Sequence, residues 1–228
     1  MIMNNSDLTE MDFLVASRLY GNSTKKLYSR LHRDLEKLPR TFKNREPLPE
    51  ILEVGAGSGE HLNFVKYPFK RYVMSDISEL GVKNISTLLE NDKISFEVAN
   101  VEALPFNDCT FDRIIATCVL AHVENPFKAF QELRRVLRVN GTASIFISAD
   151  PSILLRVIRH LFVKQKMKNL PMNYLLYNAM AHRNSCSNLI TIAKSIFESD
   201  SVVFRYSPLR LPFWNFSTHI VIHIRRNS

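Results

Sequence analysis

Between Ile51 and Leu62 the chain reads ILEVGAGSGEHL, where a short apolar run meets three closely spaced glycines, Gly55, Gly57 and Gly59. This describes a strand entering a tight turn, in which positive φ is allowed and a ligand can approach the backbone with no Cβ in the way. The spacing narrows the ligand. The dinucleotide fingerprint G-x-G-x-x-G needs a glycine at position 60, where this chain has Glu60, and a carboxylate there repels a pyrophosphate. A phosphate loop is excluded as well, because no Gly-Lys-Ser/Thr follows. With Glu53 at the end of the apolar run, two acids bracket the turn, which suits a positively charged ligand. Asp76 closes the next strand-like run, RYVMSD, 21 positions after Gly55. A carboxylate there can accept from both hydroxyls of a ribose, although Ser75, Asp76 and Ser78 are also helix-capping types.

S-adenosylmethionine, with its ammonium, sulfonium and ribose, fits those acids. The run E-V-G-A-G-S-G resembles motif I of the class I S-adenosylmethionine-dependent methyltransferases. From Phe96 the chain reads FEVANVEALPFNDCTFDRIIATCVLAHVENPFKAFQELRRVLRVNGTASIFI, which resembles the second half of the small-molecule methyltransferase core, including LPF, FD and the helix before Gly141. Together these motifs cover about residues 51 to 148. The resemblance implies an α/β, Rossmann-like fold: a seven-stranded, mostly parallel sheet with an antiparallel last strand inserted beside its neighbour and helices on both faces. It also implies a cofactor site. Glu53, Gly55, Gly57 and Gly59 would face the methionine portion, Asp76 the ribose, and Asn100 and Val101 the adenine, with Ala56, Ile77 and Thr117 completing the set. Many relatives have Asp where this chain has Asn100, and the neutral amide is the weaker acceptor.

The elements needed to position these residues are visible in the periodicity. Helices are expected over residues 7 to 20 and 23 to 38, the second with Leu27, Leu31 and Leu35 at i, i+4 spacing. Strands are expected near Glu50 to Val54, Tyr72 to Ser75, Ser95 to Ala99, Arg113 to Thr117, Thr142 to Ser148, Val202 to Tyr206 and His219 to Arg225. Helix-length patterns separate them, near Glu60, Leu80 to Glu90, Phe127 to Leu137 and Cys186 to Phe197. That alternation describes βαβ units and a parallel sheet, whose ligand sits beyond the carboxyl ends of the strands where strand order reverses.

A chain of 228 residues with 46% apolar content can bury one substantial core. A single methyltransferase domain is therefore expected, with an N-terminal helical cap over 1–49, a cofactor core over 50–150, an acceptor-side insertion over 151–200 and closing strands over 201–228. The opening residues MIMNNSDLTE lack a basic stretch followed by an apolar core, and no apolar run approaches the ~20 residues of a membrane span. Cys109, Cys118 and Cys186 are scattered without metal-ligand spacing, which points to a reducing, cytoplasmic setting and no metal. Charge is uneven: residues 1–50 carry a net +2, residues 51–150 a net −3 and residues 151–228 a net +9.

Methyl transfer from a sulfonium needs alignment and exclusion of water more than a dedicated catalytic group, but a hydroxyl acceptor gains from a general base. His122, after the fourth strand, and His182, in AHRNS, are the candidates, each with a structural reading beside it: His122 as a packed wall, His182 as a neighbour of the cap residues Asn184 and Ser185. The segment SILLRVIRHLFVKQKMK, residues 152 to 168, fits a helix with Leu154, Leu155, Ile158, Leu161 and Phe162 on one face and Arg156, Arg159, His160, Lys164 and Lys166 on the remainder. It is either core packing with a solvated basic face or a contact with an anionic membrane surface. Tyr174, Tyr177, Phe213 and Trp214 offer aromatic surface for an acceptor or for the core. AHRNS and the later PFWNF resemble methyltransferases of bacterial surface-polysaccharide gene sets. The expectation is O-methylation of a small or lipid-linked acceptor, including a saccharide, peripheral to the inner membrane face. Quinone or lipid methylation, RNA methylation and a noncatalytic cofactor-binding subunit are the alternatives. Nucleic acid is disfavoured because no appended RNA-binding module or Asn-Pro-Pro-Tyr motif is present. The sequence leaves the oligomeric state open.

Overall fold

The computed structural model describes residues 25–42, 49–86, 91–163 and 173–228, together with Val15. The helix expected over residues 7 to 20 lies outside the described residues apart from Val15. Helix α1 (Lys25–Leu35) leads to β1 (Glu50–Val54), a 3-10 turn (Glu60–Phe64), β2 (Arg71–Asp76), α2 (Glu79–Ser86), β3 (Ile94–Val98) and β4 (Phe111–Ala116). Then follow α3 (Pro126–Val136), β5 (Leu137–Ser148), α4 (Ile153–Ile158) continuing into a π turn (Arg159–Val163), α5 (Tyr174–Ala181), α6 (Cys186–Ile196), β6 (Ser201–Pro208) and β7 (Ser217–Arg225). The strands form one sheet in the order β3-β2-β1-β4-β5-β7-β6. Parallel pairing runs from β3 to β5, and β7 inserts antiparallel between β5 and β6. The expected sheet is present. Strand order reverses between β1 and β4, which fixes the ligand edge at their carboxyl ends.

Local chemistry accounts for the elements. Helix α3 starts where the Asn125 side chain accepts from Lys128 N–H with Pro126 in the first turn, a pre-set φ at a position whose N–H needs no partner. Strand β5 begins five residues earlier than the apolar pattern suggested, because Leu137 pairs with Phe111 before a register shift leads to the Thr142 pairing. The central strands are buried on both faces and read as continuous apolar runs. On one face Leu52, Val54, Ile114 and Ile145 pack with Phe130 and Leu133 of α3 and Leu189 and Phe197 near α6. On the other, Ile51, Tyr72, Met74, Ile115 and Val221 meet Leu31 and Leu35 of α1.

That second face holds a polar network as well. Arg113 and Glu36, both fully buried, pair at 2.9 Å, and the guanidinium also donates to Leu35 O at 3.1 Å. His61 Nε2 lies 3.2 Å from the same carboxylate, and His61 Nδ1 lies 3.0 Å from His32 Nδ1. Hydrogen bonds from His61 and Arg113 outweigh the effect of burial and hold the Glu36 carboxyl below its ordinary range. Asp34 and His219 approach at 3.4 Å, and His223 Nδ1 bonds Ser144 Oγ at 2.9 Å.

The segment after β5 departs from the amphipathic reading. Arg159, assigned to the solvated basic face, is 9% exposed and paired with Asp150, whereas Leu161, assigned to the packed face, is 60% exposed. The helix turns its Ile153, Val157 and Leu161 edge to solvent because Arg159 is drawn inward by a carboxylate that helical periodicity cannot see. Lys164 and Lys166 lie outside the described residues. Tyr174 and Tyr177 are buried and belong to packing, not to an exposed platform.

Burial lowers His32 to about 3, helped by His61, and lowers His223 to about 3, helped by Arg113 and Arg205. An unfolded imidazole protonates near 6.5, so below that pH the unfolded chain binds more protons than the fold does. The contribution is intact above about 6.5 and lost as pH falls toward 3, near ~2 kcal/mol per histidine by pH 5. Glu53, raised by its own burial, works in the opposite direction. The urea midpoint is expected to drop between pH 7 and pH 5, and to drop less in His223→Gln than in the parent. Equal slopes in the two proteins would remove His223 as a source of the pH dependence.

Candidate cofactor and acceptor site

The turn after β1 is built from left-handed residues, with φ of 71° at Gly55, 52° at Gly57 and 74° at Gly59. Gly55 N–H and Ala56 N–H both donate to Ser75 O, at 2.9 and 3.0 Å, while Thr117 Oγ1 donates to Gly55 O at 2.7 Å. A Cβ on Gly55 would sit 2.9 Å from Thr117 O and 2.9 Å from Val119 Cβ, so this glycine serves the close approach of β1 to β4. A Cβ on Gly57 would meet nothing within 4 Å, which leaves open space over the turn. Asp76 stands beside that space. Its Oδ2 accepts from Gly57 N–H and its Oδ1 from Ser78 N–H, both at 2.9 Å. The capping bond at α2 belongs to Ser78, whose hydroxyl accepts from Gly81 N–H at 3.1 Å.

The other expected cofactor residues divide. Ile77 is 67% exposed beside Asp76. Asn100 is exposed, and its amide oxygen accepts from Glu102 N–H at 2.9 Å. Ala56 and Val101 send their side chains into the two cores, so their backbone alone is left for a ligand. Thr117 is buried and braces the turn. Glu53 is 1% exposed beneath the turn, where Tyr72 O–H donates to its Oε2 at 2.7 Å and its Oε1 has no hydrogen-bond partner among the described residues.

A second cluster lies beyond the carboxyl ends of β4 and β5. Asn184 clamps the turn after β4: its Nδ2 donates to Leu120 O and Val123 O at 3.1 and 2.8 Å, and its N–H to Ala121 O at 3.1 Å. Only Ser185 acts as the expected cap, accepting from Asn188 N–H. The clamp brings His182 against His122, with ring centroids 4.9 Å apart and planes nearly perpendicular. His182 Nδ1 lies 2.6 Å from Asp150 Oδ2, and Arg159 grips both oxygens of Asp150. Burial alone would raise the Asp150 carboxyl, but the bonds from His182 and Arg159 outweigh it and hold it below the usual range. An ionised carboxylate only accepts, so His182 carries its proton on Nδ1 and presents Nε2 as the basic nitrogen. Burial, His182 and Arg183 lower His122 to about 4, which keeps it neutral near pH 7. Asp150 and Arg159 were missed as site residues by the sequence reading. The available signal was position, since Asp150 stands two residues past the end of β5, at the ligand edge. Among the described residues no three His, Cys, Asp or Glu side chains gather as a metal site.

Fold and turn together define a nucleoside-cofactor protein of the class I α/β type. Residues 52–145 match the methyltransferase domain family. Over 127 residues the chain is 35% identical to an uncharacterized protein of Methanocaldococcus jannaschii, covering 56% of this chain and 57% of that one. It is 28% identical over 109 residues to a ubiquinone/menaquinone biosynthesis C-methyltransferase of Hahella chejuensis, covering 45% of this chain and 44% of the other. The chain thus spans about half the length of these curated relatives. A solved structure from the complex between the Haloferax volcanii Trm112 methyltransferase activator and its methyltransferase aligns over 100% of both chains, with a TM-score of 0.66 and 15% identity. Residues 52–145 thus carry the methyltransferase domain, set in a class I α/β fold.

S-adenosylmethionine is the cofactor this family and fold use, and the geometry fits it. The space over Gly57, the Asp76 carboxylate beside it, the exposed Ile77 and Glu53 Oε1, which has no partner among the described residues, offer room, ribose acceptors, an apolar face and a spare acceptor suited to a cationic group. By calorimetry, S-adenosylhomocysteine should bind and NAD should not. Gly57→Val should abolish binding in a folded protein, and Asp76→Ala should weaken it about tenfold or more, since a charge-assisted hydrogen bond contributes roughly 1.5–3 kcal/mol. An Asp76→Ala affinity within about twofold of the parent would leave Asp76 as a brace of the turn only.

Proposed function

We propose that the protein transfers a methyl group from S-adenosylmethionine to an oxygen of a small or lipid-linked acceptor, with His182 as general base. The observation that carries this reading is the Asp150–His182 pair at the ligand edge, 2.6 Å apart and anchored by Arg159. The bound cofactor supplies an already activated methyl group on a sulfonium. The chain's own residues then orient the acceptor and manage one proton. His182 Nε2 would take the proton of the acceptor hydroxyl as that oxygen receives the methyl group. Asp150 fixes the imidazole tautomer and steadies the positive charge that forms, and is a positioning residue. His122, kept neutral by burial, walls the pocket against His182 and excludes water. Orientation of this kind supplies roughly 7 to 11 kcal/mol of barrier reduction, and a positioned base about 10²- to 10⁴-fold.

Three free cysteines support a cytoplasmic setting. Charge supports an anionic or membrane-associated acceptor, since residues 151–228 carry a net +9.

Transfer of labelled methyl to fractionated polar lipids, saccharides, quinones and RNA identifies the acceptor class. With that acceptor, His182→Gln should lower kcat by about 10²-fold or more. Asp150→Asn should lower kcat while leaving cofactor affinity unchanged. A full rate in His182→Gln, or label found on carbon or nitrogen, would sink the base assignment. No labelled product from any fraction, with cofactor bound, would favour the noncatalytic subunit.

A further inference from the structure

Strand β6 ends at Pro208 and β7 begins at Ser217, so the loop between them lies at the same sheet edge as Asp150. Its 3-10 turn, Trp214–Phe216, packs against α4. Across this neighbourhood large apolar side chains stand in solvent: Ile153, Val157 and Leu161 at i, i+4, i+8 on the helix, and Leu209, Leu211, Phe213 and Phe216 on the loop, each about half exposed or more. A patch of this size is unusual on a protein that meets only water. Its rim is basic. Arg156, His160 and Arg210 are exposed among these residues, and no acid occurs from Pro151 to Phe197 or after Asp200. Asp200 itself is occupied by Arg134 at 2.9 Å.

We infer that this edge, the outer side of α4 with the β6–β7 loop, docks on an anionic lipid bilayer and presents the His182 pocket to acceptors held there. Aliphatic and phenyl groups enter the acyl boundary while the guanidinium groups pair with headgroup phosphates, the combination that an interfacial surface requires. A second copy of the chain fits the patch poorly, because two such faces would bring basic rims together with no acid between them. No helix among the described residues is long and apolar enough to cross a membrane, so the contact is peripheral. The purpose of the contact rests on the methyl-transfer reading, but the contact can be tested without turnover.

The full chain would be sedimented with vesicles of phosphatidylcholine alone or mixed with phosphatidylglycerol, and S-adenosylhomocysteine affinity would be measured in parallel. Binding should be about tenfold or more tighter to the anionic vesicles and fall with salt. The double variant Val157→Asp, Phe213→Asp should lose it with cofactor affinity unchanged, which shows that the variant is folded. Arg156→Gln with Arg210→Gln should weaken it and flatten the salt dependence. Equal binding to both vesicle types, unaltered binding by the Asp variant, or self-association or capture of a soluble protein that the Asp variant abolishes would overturn the inference. Loss of vesicle binding with cofactor binding intact leaves methyl transfer standing. Failure of the parent to bind cofactor removes the reading beneath it.

Discussion

Strands β1 and β4 can meet at the ligand edge only because residue 55 carries no side chain. Any Cβ there would collide with the Thr117 carbonyl and Val119, and relief would require separating the two strand ends. Much of the site follows from that contact. Thr117 donates to Gly55 O, and Val119 O accepts from His122 N–H at 3.0 Å, so the turn carrying His122 rests on the glycine turn. Asn184 then clamps the same turn and delivers His182 to Asp150. The glycine turn and the His122–His182 cluster are thus joined through one close backbone approach, and the spacing between them is set by sheet geometry more than by loops.

The N-terminal helix is tied to the sheet by a different principle. Arg113 sits in the middle of β4 with its charge fully buried, a costly arrangement that Glu36 and the Leu35 carbonyl offset. Around it Arg113 Nε and Nη1, Thr142 Oγ1 and His223 Nε2 have no hydrogen-bond partner among the described residues. Buried polar sites of this composition are where proteins hold internal water. An apolar contact tolerates sliding; a guanidinium that must meet one carboxylate does not. The pair therefore fixes the register of α1 over the sheet, and with it the position of His32 against His61 and of His61 beneath the glycine turn.

What could be read from the sequence was what local patterning encodes. Strand β1 has the limits that its apolar run implied, and the glycine turn, α3 and the antiparallel insertion of β7 fall where expected. Charge at a distance escaped. Glu36 and Arg113 are 77 positions apart, and Asp150 and His182 are 32 apart; nothing in a periodicity of 3.6 or 2 residues links them. The same blindness turned α4 the wrong way, since hydropathy assigns every arginine to solvent and Arg159 is buried against Asp150. The burial of Glu53 escaped for a related reason: its position in β1 places it among the inward-facing residues of a sheet covered on both sides.

In the proposed reaction charge is moved and not created, and the acceptor cluster is arranged for that. Before transfer one positive charge would lie on the cofactor's sulfonium, and afterwards one on His182. Arg159 and Asp150 form a neutral pair throughout, so the pocket's net charge is the same at both ends of the step. A half-buried site pays little for such a shift, whereas generating a new ion there would be opposed by desolvation. His122 cannot take the charge in its place: burial and its two cationic neighbours, His182 when protonated and Arg183, lower it to about 4. In that reading the two histidines in edge contact have separate roles, one the proton acceptor whose orientation the Asp150 carboxylate fixes, the other a neutral wall.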